Sequence, residues 1–189
     1  MLSLKNKTVL ITGAAGNLGR SVAATFGATG ANLVLVDQNG AALDAAYPGH
    51  EGNRVKRPVN LMVPDEIEAV VTEVEGGFGQ IDALVALAGG FHMGEAVHSL
   101  SVDKWDLMMN LNVRTLLHST AVVVPKMIKN GYGKIVTIGA NAASQGRANM
   151  GAYIAAKSAV IRLTEAMSLE LRGEGVNVNC VMPSIIDTL

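Results

Sequence analysis

At 189 residues, with 49% apolar and 16% charged side chains and a formal net charge of −1, the chain is long enough to bury one sizeable core. So even a charge balance excludes the basic footprint of a nucleic-acid or anionic-membrane binder. The single cysteine, Cys180 in "VNVNCVM", excludes a disulfide framework or a cysteine-based metal site within one chain.

The opening stretch "MLSLKNKTVLITG" lacks the apolar centre and small-residue cleavage site of a secretory leader, and no apolar run approaches the ~18 residues of a membrane span. A cytoplasmic protein folded as one domain over residues 1–189 is expected. Six short β-branched runs follow one another along it: 8–12, 31–36, 54–59, 82–88, 133–138 and 176–182. Continuous apolar strands of this kind, covered on both faces, belong to a parallel sheet.

The first strand leads into "TGAAGNLGR", Thr12 to Arg20, with glycines at 13, 16 and 19 where a helix should start. Missing side chains there let a pyrophosphate approach the amides of the helix N-terminus. The second strand ends on Asp37, whose carboxylate can accept both hydroxyls of an adenosine ribose and would repel a 2′-phosphate, so NAD is expected in preference to NADP. A helix follows the third strand, opening with Pro64, Asp65 and Glu66 and stopping at Gly76 and Gly77.

Past the fourth strand, one long helix is expected from a Ser99 or Ser101 cap to Lys129 and Gly131, with Pro125 kinking it or marking its last turns. A second long helix should run from Met150 to Arg172, closed by Gly173. It carries Tyr153 and Lys157, four apart and therefore on one face. A nearby ammonium favours the phenolate, so Tyr153 is expected to titrate below the usual value of about 10. Strands and helices alternate throughout, which predicts a doubly wound α/β fold, a parallel sheet in a Rossmann-type three-layer sandwich. The four histidines, at 50, 92, 98 and 118, show no ligand spacing, and no metal site is expected. His92 and Met93 follow the Gly89-Gly90 pair and are placed to line a substrate cleft.

With the glycine turn, Asp37 and the Tyr-x-x-x-Lys pair in this order, the chain resembles the short-chain dehydrogenase/reductase family over its whole length. In the family's T-G-x-x-x-G-x-G turn, Thr12, Gly13 and Gly19 match while Asn17 replaces the middle glycine; Asn17 tolerates a left-handed backbone, and Gly16 offers an alternative. "ALAG", Ala86 to Gly89, stands for the family's N-N-A-G, and "WDLMMNLNV" places the catalytic-type asparagine at Asn112 rather than Asn110. "PSIIDT" follows the family's P-G-x-x-x-T, with Ser184 for the glycine.

The resemblance implies Tyr153, Lys157 and Asn112 as the catalytic set. It implies a cofactor set of Gly13, Asn17, Leu18, Gly19, Asp37, Asn60, Leu61, Ala88, Gly89, Gly90, Ile138, Tyr153, Lys157, Pro183, Ile186 and Thr188. It further implies an NAD-dependent interconversion of a small alcohol and a carbonyl. A homodimer or homotetramer is implied through the helices around 101–130 and 151–172. Relatives continue for several dozen residues, so a C-terminal lid, helix and last strand are expected to be lacking.

One departure stands out. The family's serine, thirteen residues before the tyrosine, falls on Ala140; Ser144 and Asn141 are the nearest polar side chains downstream. Weakened or specialised activity is one reading. A dinucleotide-binding protein acting as a redox-sensing or interaction module is a second, and a mononucleotide-binding protein without redox chemistry is a third.

Overall fold

The computed structural model describes residues 3–186. Strands β1 (Thr8–Thr12), β2 (Asn32–Asp37), β3 (Arg54–Pro58), β4 (Ala83–Ala86), β5 (Gly133–Ile138) and β6 (Val176–Val181) form one parallel sheet in the order β3-β2-β1-β4-β5-β6. The chain works outward from β1 to β3, then returns to the other side of β1 and works outward again. The loops after β1 and β4 therefore diverge, and the crevice between them is where such folds take ligands.

Helices α1 (Asn17–Gly27), α2 (Gly40–Ala46), α3 (Pro64–Phe78), α4 (Val102–Met109), α5 (Thr115–Asn130) and α6 (Gly151–Glu170) occupy the crossovers. Alternation along β1 divides the core. Val9 and Ile11 join Ala23 and Leu43 under α1 and α2, whereas Leu10 joins Val70, Val71, Val74, Val123 and Met127 under α3 and α5. A third cluster, Met108, Val113, Leu116, Ala156 and Val160, welds α4 and α5 to α6.

At the lower end of the β1–β4 seam the buried carboxylate of Asp82 accepts from the Thr8 amide at 2.8 Å and from Lys7 Nζ at 2.8 Å. That clasp ties the two strands together at their amino ends, opposite the crevice at their carboxyl ends.

Three expectations change. The long central helix is not continuous: α4 and α5 are joined by a π-helical turn, Asn110–Arg114. Pro125 falls within the last turns of α5 and Gly131 at φ 64° closes the helix, as expected. Helix α3 runs through Gly76 and Gly77 to Phe78, because no bulk opposes either glycine and the reversal waits for Gly79 at φ 88°. Strand β6 is not covered on both faces: Val176 and Val178 are buried while Asn177, Asn179 and Val181 are exposed, an alternation its sequence already spells.

Candidate active site

The glycine turn is held by close backbone approach. Gly13 sits at φ 64°, and a Cβ there would lie 2.9 Å from the Ala88 amide nitrogen of the β4 loop. At Gly19 a Cβ would collide with the Gly13 carbonyl and lie 2.7 Å from Ala14 Cα. Only glycine fits either position.

The expected left-handed residue in the middle of this turn is absent. Gly16 caps α1 at φ −68°, and Asn17 is already the first helical residue, its Oδ1 accepting from the Arg20 guanidinium. Helix α1 thus begins early enough that no middle glycine is required, and Leu18 follows half-buried on its first turn. Tyr47, beyond α2, donates its hydroxyl to the Ala14 carbonyl at 2.7 Å and braces the turn from behind. Nothing in sequence spacing pointed to that brace.

Asp37 ends β2 beside this turn. Its Oδ2 accepts from the Ala15 amide at 3.1 Å and its Oδ1 from the Asn39 amide at 3.1 Å, which leaves further lone pairs on both oxygens. A cleft of about 120 Å³ opens here, lined by Gly13, Asp37, Asn60, Leu61, Ala88 and Gly89 among others. Asn60 spends its side-chain oxygen on the Met62 amide at 3.0 Å, and the Leu61 carbonyl meets His118 Nδ1 at 2.7 Å. His118 is therefore a structural contact of this wall.

The loop after β4 forms the floor. The Ala88 amide donates to Thr12 Oγ1 at 3.1 Å, one bond that ties this loop to β1 where the resemblance would have placed asparagines. Asn112, buried in the π-helical turn, donates through Nδ2 to the Gly90 carbonyl at 3.1 Å and to the Met108 carbonyl at 3.0 Å. Its Oδ1 accepts from the Gly90 amide at 3.2 Å. A Cβ on Gly89 would lie 2.8 Å from Asn112 Oδ1 and 3.4 Å from Lys157 Nζ, so the asparagine of one helix and the lysine of another meet across that single glycine.

Lys157, buried on α6, donates to the Ile138 carbonyl at 2.8 Å, and burial lowers its pKa from 10.5 to about 8. Tyr153 lies one turn earlier. Contrary to expectation its phenol is raised above 10.0, and desolvation is the cause. Phe91, which sequence reasoning passed over, packs edge to face with the Tyr153 ring at a centroid distance of 4.8 Å and 81°. Its only signal was an aromatic residue directly after the glycine floor.

Ala140 follows β5 in extended backbone and is buried, whereas Asn141 is exposed. The Ser144 hydroxyl donates to the Asn141 carbonyl at 2.8 Å and Ser158 donates to the Ala143 carbonyl at 3.4 Å. Both hydroxyls are engaged locally. The Asn141 amide donates to the Pro183 carbonyl at 2.9 Å, which brings Pro183 to the end of β5. Ile186 is exposed; Thr188 lies outside the described residues. Among the described residues no cluster of His, Cys, Asp or Glu is placed to hold a metal.

A family model described as short chain dehydrogenase matches residues 7–189. The chain belongs to the short-chain dehydrogenase family. Within it, a 3-oxoacyl-acyl-carrier-protein reductase of Salmonella typhimurium is 30% identical over 189 residues, 99% of this chain and 76% of that protein. A 2-dehydro-3-deoxy-L-rhamnonate dehydrogenase (NAD+) of a Sphingomonas species is 33% identical over 96% of this chain and 73% of its own length.

Among solved structures, an NAD+-bound xylitol dehydrogenase superposes with a TM-score of 0.88 at 29% identity, covering 95% of this chain and 70% of that one. A 3-ketoacyl-(acyl-carrier-protein) reductase from Brucella melitensis complexed with NADH gives 0.90 at 26% identity, covering 96% and 77%. The chain is thus an oxidoreductase of the family's NAD(P)-dependent kind. The cradle left by Gly13 and Gly19 and the free lone pairs of Asp37 fit such a dinucleotide. No helix among the described residues is long and apolar enough to cross a membrane.

Proposed function

We propose that this short-chain dehydrogenase interconverts an alcohol and a carbonyl with NAD as the preferred cofactor. The meeting of Asn112 and Lys157 across Gly89, beside the cleft that ends on Asp37, carries the reading. When bound, the nicotinamide supplies or receives the hydride.

The chain's own residues do the rest. Tyr153 gives its hydroxyl proton to the carbonyl oxygen in reduction and takes it back in oxidation, and a phenol raised by burial is held as the acid at neutral pH. Lys157 carries a proton below about pH 8 and sits one helical turn from the phenol, supporting the charge that develops there. Asn112 pins the Gly90 floor through both its amide and its carbonyl. It also borders a void of about 10 Å³ lined by Thr12, Asn112, Thr115, Thr137 and Ile138, close to the lower limit for one water, which supports a relay role. Gly13, Asn17, Leu18, Gly19, Asp37, Asn60, Leu61, Ala88, Gly89, Gly90, Ile138, Pro183, Ile186 and Thr188 complete the proposed cofactor set.

Asp37 favours NAD over NADP because a 2′-phosphate would face its carboxylate. The reading is tested with NADH and NADPH against a panel of ketones and aldehydes. Tyr153→Phe should lower kcat by about 10²- to 10⁴-fold while leaving NADH binding in place. Unchanged turnover in that variant would end the proposal.

Ala140 favours a second reading, a dinucleotide-binding sensor or interaction module with weakened catalysis, since neither Ser144 nor Ser158 offers a free hydroxyl. NADH binding without turnover of any carbonyl would favour it. We also propose a homodimer or homotetramer built on α4, α5 and α6.

A further inference from the structure

We propose that the substrate of this site carries an aryl group on its carbonyl or carbinol carbon, and that Phe91 selects it; the inference rests on Tyr153 being the proton-transferring group. Phe91 is 58% exposed although it packs on the Tyr153 ring. An exposed phenyl beside the reacting hydroxyl is a stacking surface in want of a partner, because aromatic rings gain from offset or edge-to-face pairing beyond the area they bury.

The loop that carries it is held in place. Gly94, at φ 131°, donates its amide to the Asn149 carbonyl at 2.9 Å, and Glu95 bridges to Met150 just before α6. Phe91 is thereby fixed against the helix that bears Tyr153.

One further apolar side chain is anchored at the start of that helix. Val97, 75% exposed, has its Cγ2 2.8 Å from where a Cβ on Gly151 would be, two residues before Tyr153. Three polar groups nearby are already engaged: the Glu95 carboxylate accepts from the Ser101 amide at 3.1 Å, and the Ser144 and Ser158 hydroxyls serve backbone carbonyls. On the phenyl face itself a polyhydroxylated substrate would surrender water without gaining a partner. An aryl group would surrender little and bury its face.

The test compares acetophenone, butanone and dihydroxyacetone as NADH-dependent substrates. Acetophenone should lead the other two in kcat/KM by about tenfold or more, the scale on which an apolar pocket discriminates. Phe91→Ala should cut the ratio of acetophenone to butanone about tenfold, chiefly through KM, while Phe91→Tyr keeps it. Preference for dihydroxyacetone, or an equal loss on both ketones in Phe91→Ala, overturns the inference and leaves the oxidoreductase reading intact.

If no carbonyl is turned over, calorimetric titration of the NADH-saturated protein decides instead. Acetophenone binding that is lost in Phe91→Ala sustains the aryl site while the proposed activity fails. Equal or absent binding of acetophenone and dihydroxyacetone overturns it.

Discussion

Ala140 puts a methyl group at the end of β5, where the resemblance asks for a hydroxyl, and the Ser144 hydroxyl downstream is spent on the Asn141 carbonyl. Removing one donor from an oxyanion-type site typically costs about 10²- to 10³-fold in rate. Restoring it should return a comparable amount: Ala140→Ser is expected to raise kcat about a hundredfold in steady-state assays, without a large change in KM. A second residue-scale expectation concerns Lys157. Burial lowers it to about 8, so between pH 8 and 10.5 the unfolded chain holds a proton that the folded chain has released. Stability should therefore rise with pH through that window, by on the order of 3 kcal/mol, and the full burial cost is borne below it. Urea midpoints at pH 8 and pH 10 should show this rise, and Lys157→Met should flatten it. Tyr153, Lys157 and Asn112 could be named as candidates from sequence because the chemistry proposed for them demands a type at a spacing. Phe91 and Tyr47 could not, because each acts through a contact made by a loop or a distant helix end.

At the scale of elements the π-helical turn matters most. It inserts an irregularity into an otherwise continuous helix, and the Asn112 side chain takes over the Met108 carbonyl while gripping Gly90 on both sides. Asn112→Ala would orphan three buried or half-buried backbone groups. It is expected to lower stability by about 2 kcal/mol, read from urea unfolding, before any effect on turnover is considered. The apolar period of residues 101–131 revealed the helix but not the turn. Helix α2 escaped notice for another reason: seven residues with only Leu43 buried leave no apolar period to read. The strands were legible to within a residue or two, except that β4 closes at Ala86, leaving Ala88 for the floor.

On the scale of the whole molecule, the outer surfaces of α4 and α5 expose Val102, Trp105, Leu107 and Leu117. Apolar side chains strung along two consecutive helices suit burial against a copy of themselves. Size-exclusion chromatography with light scattering should report a dimer or tetramer, and Leu117→Glu should shift it toward the monomer. A monomeric parent protein would remove that proposal. The doubly wound order of the sheet was legible from the alternation of strands and helices, and the bare outer face of β6 was legible in the alternation of its valines with Asn177 and Asn179.

The seam between β1 and β4 has a second meaning beyond the groove it opens. Val9 pairs with Ala83 across it, whereas the same strand's other neighbour is reached from Val9 at Leu33. Joining the more distant partner closes a loop about three times longer, at an entropic cost of about 1 kcal/mol more. Within the sheet, strands one to three and strands four to six meet along this one line, and α3 packed on α5 joins the two halves beside it. Asp82 buttons it at the bottom, and whatever lies across the groove at the top spans both halves like a hasp over a hinged lid.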